Sequence, residues 1–379
     1  MTRQIYPAAQ AVAGRVHDYF VHRFAEEREL SGDGLAWQPD ASVVEVLVDA
    51  AFWTSLRREE GYTPKISMAY APPDQGGTAL HFERWLPLTP EALVRLAPAV
   101  ERPGIHLGIW RQDGNFYVWG ATRTIPALCL VLEVIDPGLL VIKHRRTEES
   151  GKFINVAVIE GDQIKVLDPQ SISVPGAPPV VCALLGIEPA PAAVLPINVV
   201  IRLAVSMRTH GRGGSLLVVP SGTVEWRKSI IGASPYAVLP VYSELAQLIR
   251  EHPESPGKGR WREALRRTID LIGGLTAVDG ATIITDQCEM LAFGAKIARR
   301  EGWARIEHVI DSAPFEGIPD RMVHPAELGG TRHLSAAQFA QDQKDGVAFV
   351  ASQDGRCTVF AWSPYQEAVR AYRIEALLL

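Results

Sequence analysis

What the chain lacks narrows it before any motif is read. It has only four cysteines, Cys129, Cys182, Cys288 and Cys357, far apart and without the CxxC spacing of zinc sites or redox pairs. Disulfide scaffolds and structural zinc are thereby excluded, and buried reduced thiols are expected. It has no excess of positive charge: 38 Lys and Arg against 43 Asp and Glu give a net charge of -5 and a pI near 6.1. That balance argues against nucleic acid as a partner, while a local basic pocket for phosphate remains compatible with it. It has no long apolar run either, because the longest, Thr124 to Ile142, is broken by Glu133, Asp136 and Pro137. A membrane span needs about 20 mostly apolar residues. The first residues, Met1 to Pro7, carry no apolar core followed by a small-residue cleavage site. These absences predict a cytoplasmic protein without a membrane partner.

What is present points to two globular domains. The 379 residues are 47% hydrophobic and 21% charged, enough chain and enough apolar material for two cores. The first 30 residues read as a helix, with Val12, Val16, Tyr19, Phe20 and Phe24 at helical spacing. A second helix is predicted over 41–60. Strand-like segments follow at 65–70, 79–85, 104–110, 115–120, 128–135, 139–143, 154–160 and 163–167, with Asp113-Gly114 as a hairpin turn. Residues 1–173 are therefore read as an α+β domain. Prolines 175, 178, 179, 189, 191 and 196 mark 174–196 as a linker. Residues 197–379 read as an α/β domain with a central mixed sheet flanked by helices. Its helices are expected at 197–208, 242–251, 261–273 and 335–343, and its strands at 216–219, after Asp279, near 290–293, and at 347–351 and 358–362.

Two stretches of the C-terminal domain carry chemistry. Asp279-Gly280-Ala281 places a carboxylate beside a tight turn at the start of an apolar strand. Gly330-Thr331-Arg332-His333 places a hydroxyl, a guanidinium and an imidazole at a helix start, behind glycines that let a ligand approach the backbone. Asp-Gly alone is ordinary turn chemistry. The tetrapeptide alone is equally readable as a helix start, with Thr331 as N-cap, Arg332 paired to Glu327 and His333 a core histidine. Elsewhere, Lys143-His144-Arg145-Arg146 reads as a solvated loop after a strand, and Trp110 and Trp119 as core. His106 and His308 are assigned no chemistry.

The C-terminal stretches stand in a larger order: Asp279 to Ile284, then Phe293-Gly294-Ala295, then Gly330 to Ala337, then Val347 to Gly355. Together they resemble the diadenylate cyclase (DAC) domain, found in bacterial DNA-integrity scanning proteins and related synthases of cyclic di-AMP, over about residues 195–379. The N-terminal half resembles the sensor region, of DACNV type, that precedes some DAC domains. The resemblance implies an enzyme, a nucleotidyltransferase condensing two ATP into cyclic di-AMP and pyrophosphate. Asp279 would hold a Mg2+ or Mn2+ ion near the attacking ribose hydroxyl, with Arg332 and His333 as its catalytic companions. Gly280, Ala281, Gly294, Ala295, Gly330, Thr331, Ser335 and Ser352 would contact the nucleotide, with adenine near Phe293 to Ala295. Because one such domain holds one ATP, the resemblance implies a homodimer or higher homo-oligomer with two domains face to face. An unidentified sensor ligand would act through the N-terminal domain. At one place the pattern departs: the family reads Arg-His-Arg where this chain reads Arg332-His333-Leu334. That loss of a cation implies a second possibility, a catalytically impaired domain that binds ATP or a cyclic dinucleotide as a regulatory module.

Overall fold

The computed structural model describes residues 5–30, 34–58, 61, 63–102, 104–145, 153–167, 177–184, 191–231, 236–251, 258–312, 319–353, 355–374 and 378. The chain divides into two compact units, Met1–Asp168 (with Leu379) and Pro169–Leu378. Both are mixtures of helices with a mixed sheet.

The first unit begins with helix α1 (Pro7–Leu30), whose Val12, Val16, Phe20 and Phe24 recur every four residues and are all at most 1% exposed. Helix α2 (Ala41–Ser55) is started by Asp40, whose carboxylate accepts from the Val43 N–H, and it stops five residues before the expected end, at the Leu56 cap. Strands β1 (Ile66–Tyr70) and β2 (Leu80–Pro87) precede a helix that the periodicity did not announce, α3 (Pro90–Val100), capped by Thr89 with Pro90 in its first turn. Then come β3 (His106–Gln112), β4 (Asn115–Thr122), β5 (Leu130–Asp136), β6 (Leu139–Arg145), β7 (Phe153–Glu160) and β8 (Gln163–Val166). The β3–β4 turn takes positive φ at Asp113 and Gly114, as a tight hairpin requires. The sheet runs β2-β4-β3-β1-β5-β6-β7-β8, parallel only between β1 and β3. The helices and the sheet enclose one apolar core.

The segment expected to be solvated is not. Lys143 and His144 lie inside β6, 9% and 0% exposed, because the strand continues through them to pair with β5 and β7. Arg146 lies outside the described residues. His106 is also buried, and its Nδ1 sits 2.7 Å from the Ser67 hydroxyl. Ser67 Oγ donates to Glu133 Oε1 at 3.1 Å, and Lys143 Nζ is 2.7 Å from Glu133 Oε2. A hydroxyl that gives its proton to Glu133 keeps lone pairs for the His106 Nδ1–H. A polar row thus crosses β3, β1, β5 and β6. Trp119 is fully buried and Trp110 partly so, stacked on Tyr70.

The second unit corrects the linker. Pro179 opens α4 (Pro179–Leu184) and Pro191 opens α5 (Pro191–Thr209), so part of 174–196 is helical; Pro175 and Pro189 lie outside the described residues. After β9 (Gly214–Val219), β10 (Tyr236–Tyr242), α6 (Glu244–Arg250) and α7 (Lys258–Leu275) come β11 (Ala281–Thr285) and β12 (Met290–Ala295). The chain ends with β13 (Val309–Ser312), β14 (Arg321–Val323), α8 (Pro325–Leu328), α9 (Thr331–Asp342), β15 (Val347–Ala351), β16 (Cys357–Ser363) and β17 (Ala368–Arg373). The sheet order is β10-β12-β11-β9-β15-β16-β17-β13-β14, with β9/β11 and β13/β17 parallel. Ala336, Ala337, Phe339 and Ala340 of α9 pack into a core with Leu217, Ile283, Ala348, Val350 and Phe360 of the sheet. This packing sets the first turn of α9 beside the ends of β9, β11 and β15.

All four cysteines are free, and Cys182 alone is only half-buried. Burial pushes the Cys129 and Cys288 thiols up to about 12, leaving both as inert core groups. Among the described residues, no helix is long and apolar enough to cross a membrane.

Candidate functional site

A cleft of about 830 Å³ opens where β9 and β11 begin, β15 ends and α9 begins. Its wall includes Asp279, Gly280, Ala281, Ala295, Gly330, Thr331, Arg332, His333, Ser335 and Ser352. Two stretches far apart in sequence therefore meet. They do so because β9 is the common neighbour of β11, which follows Asp279, and β15, which follows α9.

The carboxylate edge is shaped by backbone proximity. Gly280 has φ +114, and a Cβ there would lie 2.4 Å from the carbonyl carbon of Gly294, so the two glycines pack back to back. Gly294 itself is not in the wall of the cleft. It has φ +61, and a Cβ on it would meet the Tyr236 ring at 2.6 Å. Phe293 likewise stands away from the cleft, stacked on Tyr236 at 4.8 Å between centroids. Of the stretch Phe293 to Ala295, only Ala295 lines the cleft, and the larger apolar side chains of its wall are Ile231, Ile297, Leu328 and Val350. Asp279 is 85% exposed and hydrogen-bonded to the Lys296 ammonium. That contact, with the more distant Arg332 and the Gly280 N–H, holds its carboxyl below the usual range.

The other edge is the start of α9. Gly330, not Thr331, is its N-cap and offers no side-chain acceptor to the first turn, so backbone N–H groups there remain available to an anion. Glu327 is engaged elsewhere: its carboxylate accepts from the His324 N–H in the capping box of α8. The Arg332 guanidinium lies over Gly213, where a Cβ would come 2.6 Å from Nη1 and where φ is +70. Only a glycine admits that approach. Arg332 also helps to depress His210, whose pKa is lowered first by burial and then by Arg212. His333 is 2% exposed, its ring edge-on to Phe360 and tight against Gly329. It is a core histidine that also reaches the cleft. Ser352 sits in the β15–β16 turn, its N–H donating to the Arg356 carbonyl at 2.8 Å.

Leu334 faces away. It packs against the core under α9 and is absent from the cleft wall. Ser215, Lys296, Gln353 and Arg356 line the cleft but were not picked out from the sequence; the available signal was Lys296 directly following Gly294-Ala295. Among the described residues, the cleft wall carries three cations, Lys296, Arg332 and Arg356, and one carboxylate, Asp279. The balance suits a phosphorylated ligand. A second cavity, about 420 Å³, at the opposite ends of β9 and β15 has apolar walls including Val200, Val219 and Phe349, with Asp286 and Asp345 as its charged groups. It is a poor host for an anion.

Residues 33–123 match a family described as "Probable sensor domain DACNV". The match runs from ahead of α2 through β4 and supports an N-terminal sensor domain. The chain matches no curated protein.

Proposed function

We propose that the C-terminal unit is a diadenylate cyclase-type nucleotidyltransferase that condenses two ATP into cyclic di-AMP and pyrophosphate, under the control of the N-terminal sensor domain. One observation carries the proposal: the carboxylate motif at Asp279 and the basic helix start at Thr331 to Ser335 share one cleft with Ser352. The sensor match at 33–123 supports it from the other unit, since that family is named for a sensor role.

In this mechanism the chain binds, aligns and neutralises. Arg332 supplies a planar fork to phosphate oxygens, and the first turn of α9 supplies backbone N–H donors. Gly280, lacking a side chain, and Ala281 admit the nucleotide close to the strand. Asp279, an exposed carboxylate at the cleft, would hold a Mg2+ or Mn2+ ion, a hard cation that prefers oxygen ligands. Among the described residues, no group of three His, Cys, Asp or Glu would hold an ion by protein alone. When bound, such an ion supplies neutralisation of charge on the transferring phosphate. The 3′-oxygen of one ATP attacks the α-phosphorus of the other and pyrophosphate leaves; a second, reciprocal attack closes the ring. That symmetry requires two cleft-bearing units facing one another, hence a homodimer or a higher homo-oligomer.

Leu334 favours a second reading, a module that binds ATP or a cyclic dinucleotide without turnover, since α9 gives the cleft one guanidinium rather than two. Purified protein incubated with ATP and either Mg2+ or Mn2+ separates the two. Cyclic di-AMP and pyrophosphate are expected. Tight ATP binding without product under either metal, at concentrations where dimer is present, would leave the binding module in place of the cyclase.

A further inference from the structure

Lys296 belongs to none of the motif stretches, yet its backbone is firmly placed. Its carbonyl accepts from the Ile231 N–H at 2.8 Å, and two residues on the Ala298 N–H donates to the Ser229 carbonyl at 2.9 Å. Because Ala295 pairs with Ala281, the chain leaving β12 runs beside the chain entering β11, and the ammonium meets the Asp279 carboxylate. The backbone is fixed while the side chain is half exposed, at 51%.

The charges of the cleft give that contact a purpose. An unpaired Asp279 at the mouth would repel a triphosphate, and Lys296 cancels it while the cleft is empty of anion. An ion pair this exposed is weak. A multiply charged phosphate therefore competes well for the ammonium, whose flexible four-carbon stem lets it turn. The helix, meanwhile, contributes no cation from position 334, because Leu334 is committed to the core. We infer that Lys296 is a phosphate-binding residue of this cleft, held in reserve on Asp279 and supplying a positive charge that α9 does not. The inference rests on the nucleotide reading above and adds to it a residue outside the motifs.

Calorimetric titration of the full chain in EDTA with ATP, ADP, AMP and adenosine tests it. Lys296→Ala is expected to weaken ATP about tenfold in the wild-type and in the Asp279→Asn chain alike, the loss of one charge-assisted contact. The effect should shrink along ADP and AMP and vanish for adenosine, and Lys296→Arg should keep most of the ATP affinity. A wild type that binds ATP, with Lys296→Ala binding it equally, overturns this inference alone. So does a variant that loses ATP and adenosine to the same extent, since that pattern reports a damaged cleft rather than a missing phosphate contact. A loss seen only while Asp279 is present would show that Lys296 merely cancels that carboxylate and would also overturn the inference. A wild type that binds neither ATP nor adenosine, in EDTA or with Mg2+ added, overturns the nucleotide reading and this inference with it.

Discussion

The polar row of the first sheet and the cleft at the strand ends of the second treat charge in opposite ways. In the first unit, His106, Ser67, Glu133 and Lys143 form a row inside the sheet, with side chains of Lys143 and Glu133 only 11% and 21% exposed. In the second, the charged groups of the cleft stand where strands and a helix begin or end, and Asp279 is 85% exposed. A desolvated ion pair is tied to stability, because removing one partner leaves the other charge buried. A charge at a strand end is tied to ligands, because it meets them with little desolvation and contributes little to folding. The comparison assigns substitutions in the cleft to binding and chemistry, and substitutions in the row to folding.

Arg332→Ala is the largest test of that division. Under the proposed cyclase reaction, removing the guanidinium is expected to lower cyclic di-AMP formation on the order of a hundredfold, the scale for losing one preorganised donor in such a site. The thermal unfolding midpoint should stay close to wild type, and the pair of measurements matters more than either alone. A variant that unfolds early while its folded fraction stays active would move Arg332 to the structural side.

Lys143→Met probes the row with the opposite expectation. It strands Glu133 without its cation and should cost about 2 kcal/mol in urea unfolding, less than the ~3–5 kcal/mol of a fully buried pair because both partners keep some exposure. Replacing Glu133 by Leu in the same chain should recover much of that loss. Unchanged stability in the single variant would show that the pair is solvated and that the row and the cleft do not differ in this respect.

How much of this was legible in the sequence follows from the same physics. The strands of the first unit could be read because their apolar runs are punctuated by turns such as Asp113-Gly114, whose positive φ angles are recorded in the residue types. Helix α3 was missed although Thr89-Pro90 is a recognisable start, and its neighbours hid it by reading as strand. In the second unit β13 and β17 escaped notice because polar Asp311, Ser312 and Arg370 are buried among apolar Val309, Val369 and Ala371 and break the hydrophobic pattern. Arg370, 4% exposed, is bonded to Ser312 and Asp320, so its burial is satisfied by partners rather than announced by hydrophobicity. Edge strand β10 escaped for the converse reason, with Tyr236, Leu239 and Val241 exposed at 48%, 93% and 41%. The motif residues of the cleft were readable because each set is contiguous. Lys296 and Ser215 were not, since each reaches the cleft through strand pairing, and the polar row needs the register of four strands.

The smallest expected effect concerns pH. Burial, reinforced by Lys143 and opposed by Glu133, lowers His106 from 6.5 to about 4. The unfolded chain takes up a proton at this residue as pH falls through 6.5, whereas the folded chain does not until about 4. The contribution is therefore intact above 6.5 and is lost progressively between 6.5 and 4, on the order of 1–2 kcal/mol by about pH 5. Asp279, held below the usual carboxylate range, titrates below that window, and its exposure keeps its contribution small. His106→Gln should flatten the fall in urea midpoint over that window relative to wild type, while Asp279→Asn should leave the fall unchanged. If Asp279→Asn flattened it instead, the titrating charge that matters to folding would lie at the strand ends, and the roles assigned to the row and the cleft would be reversed.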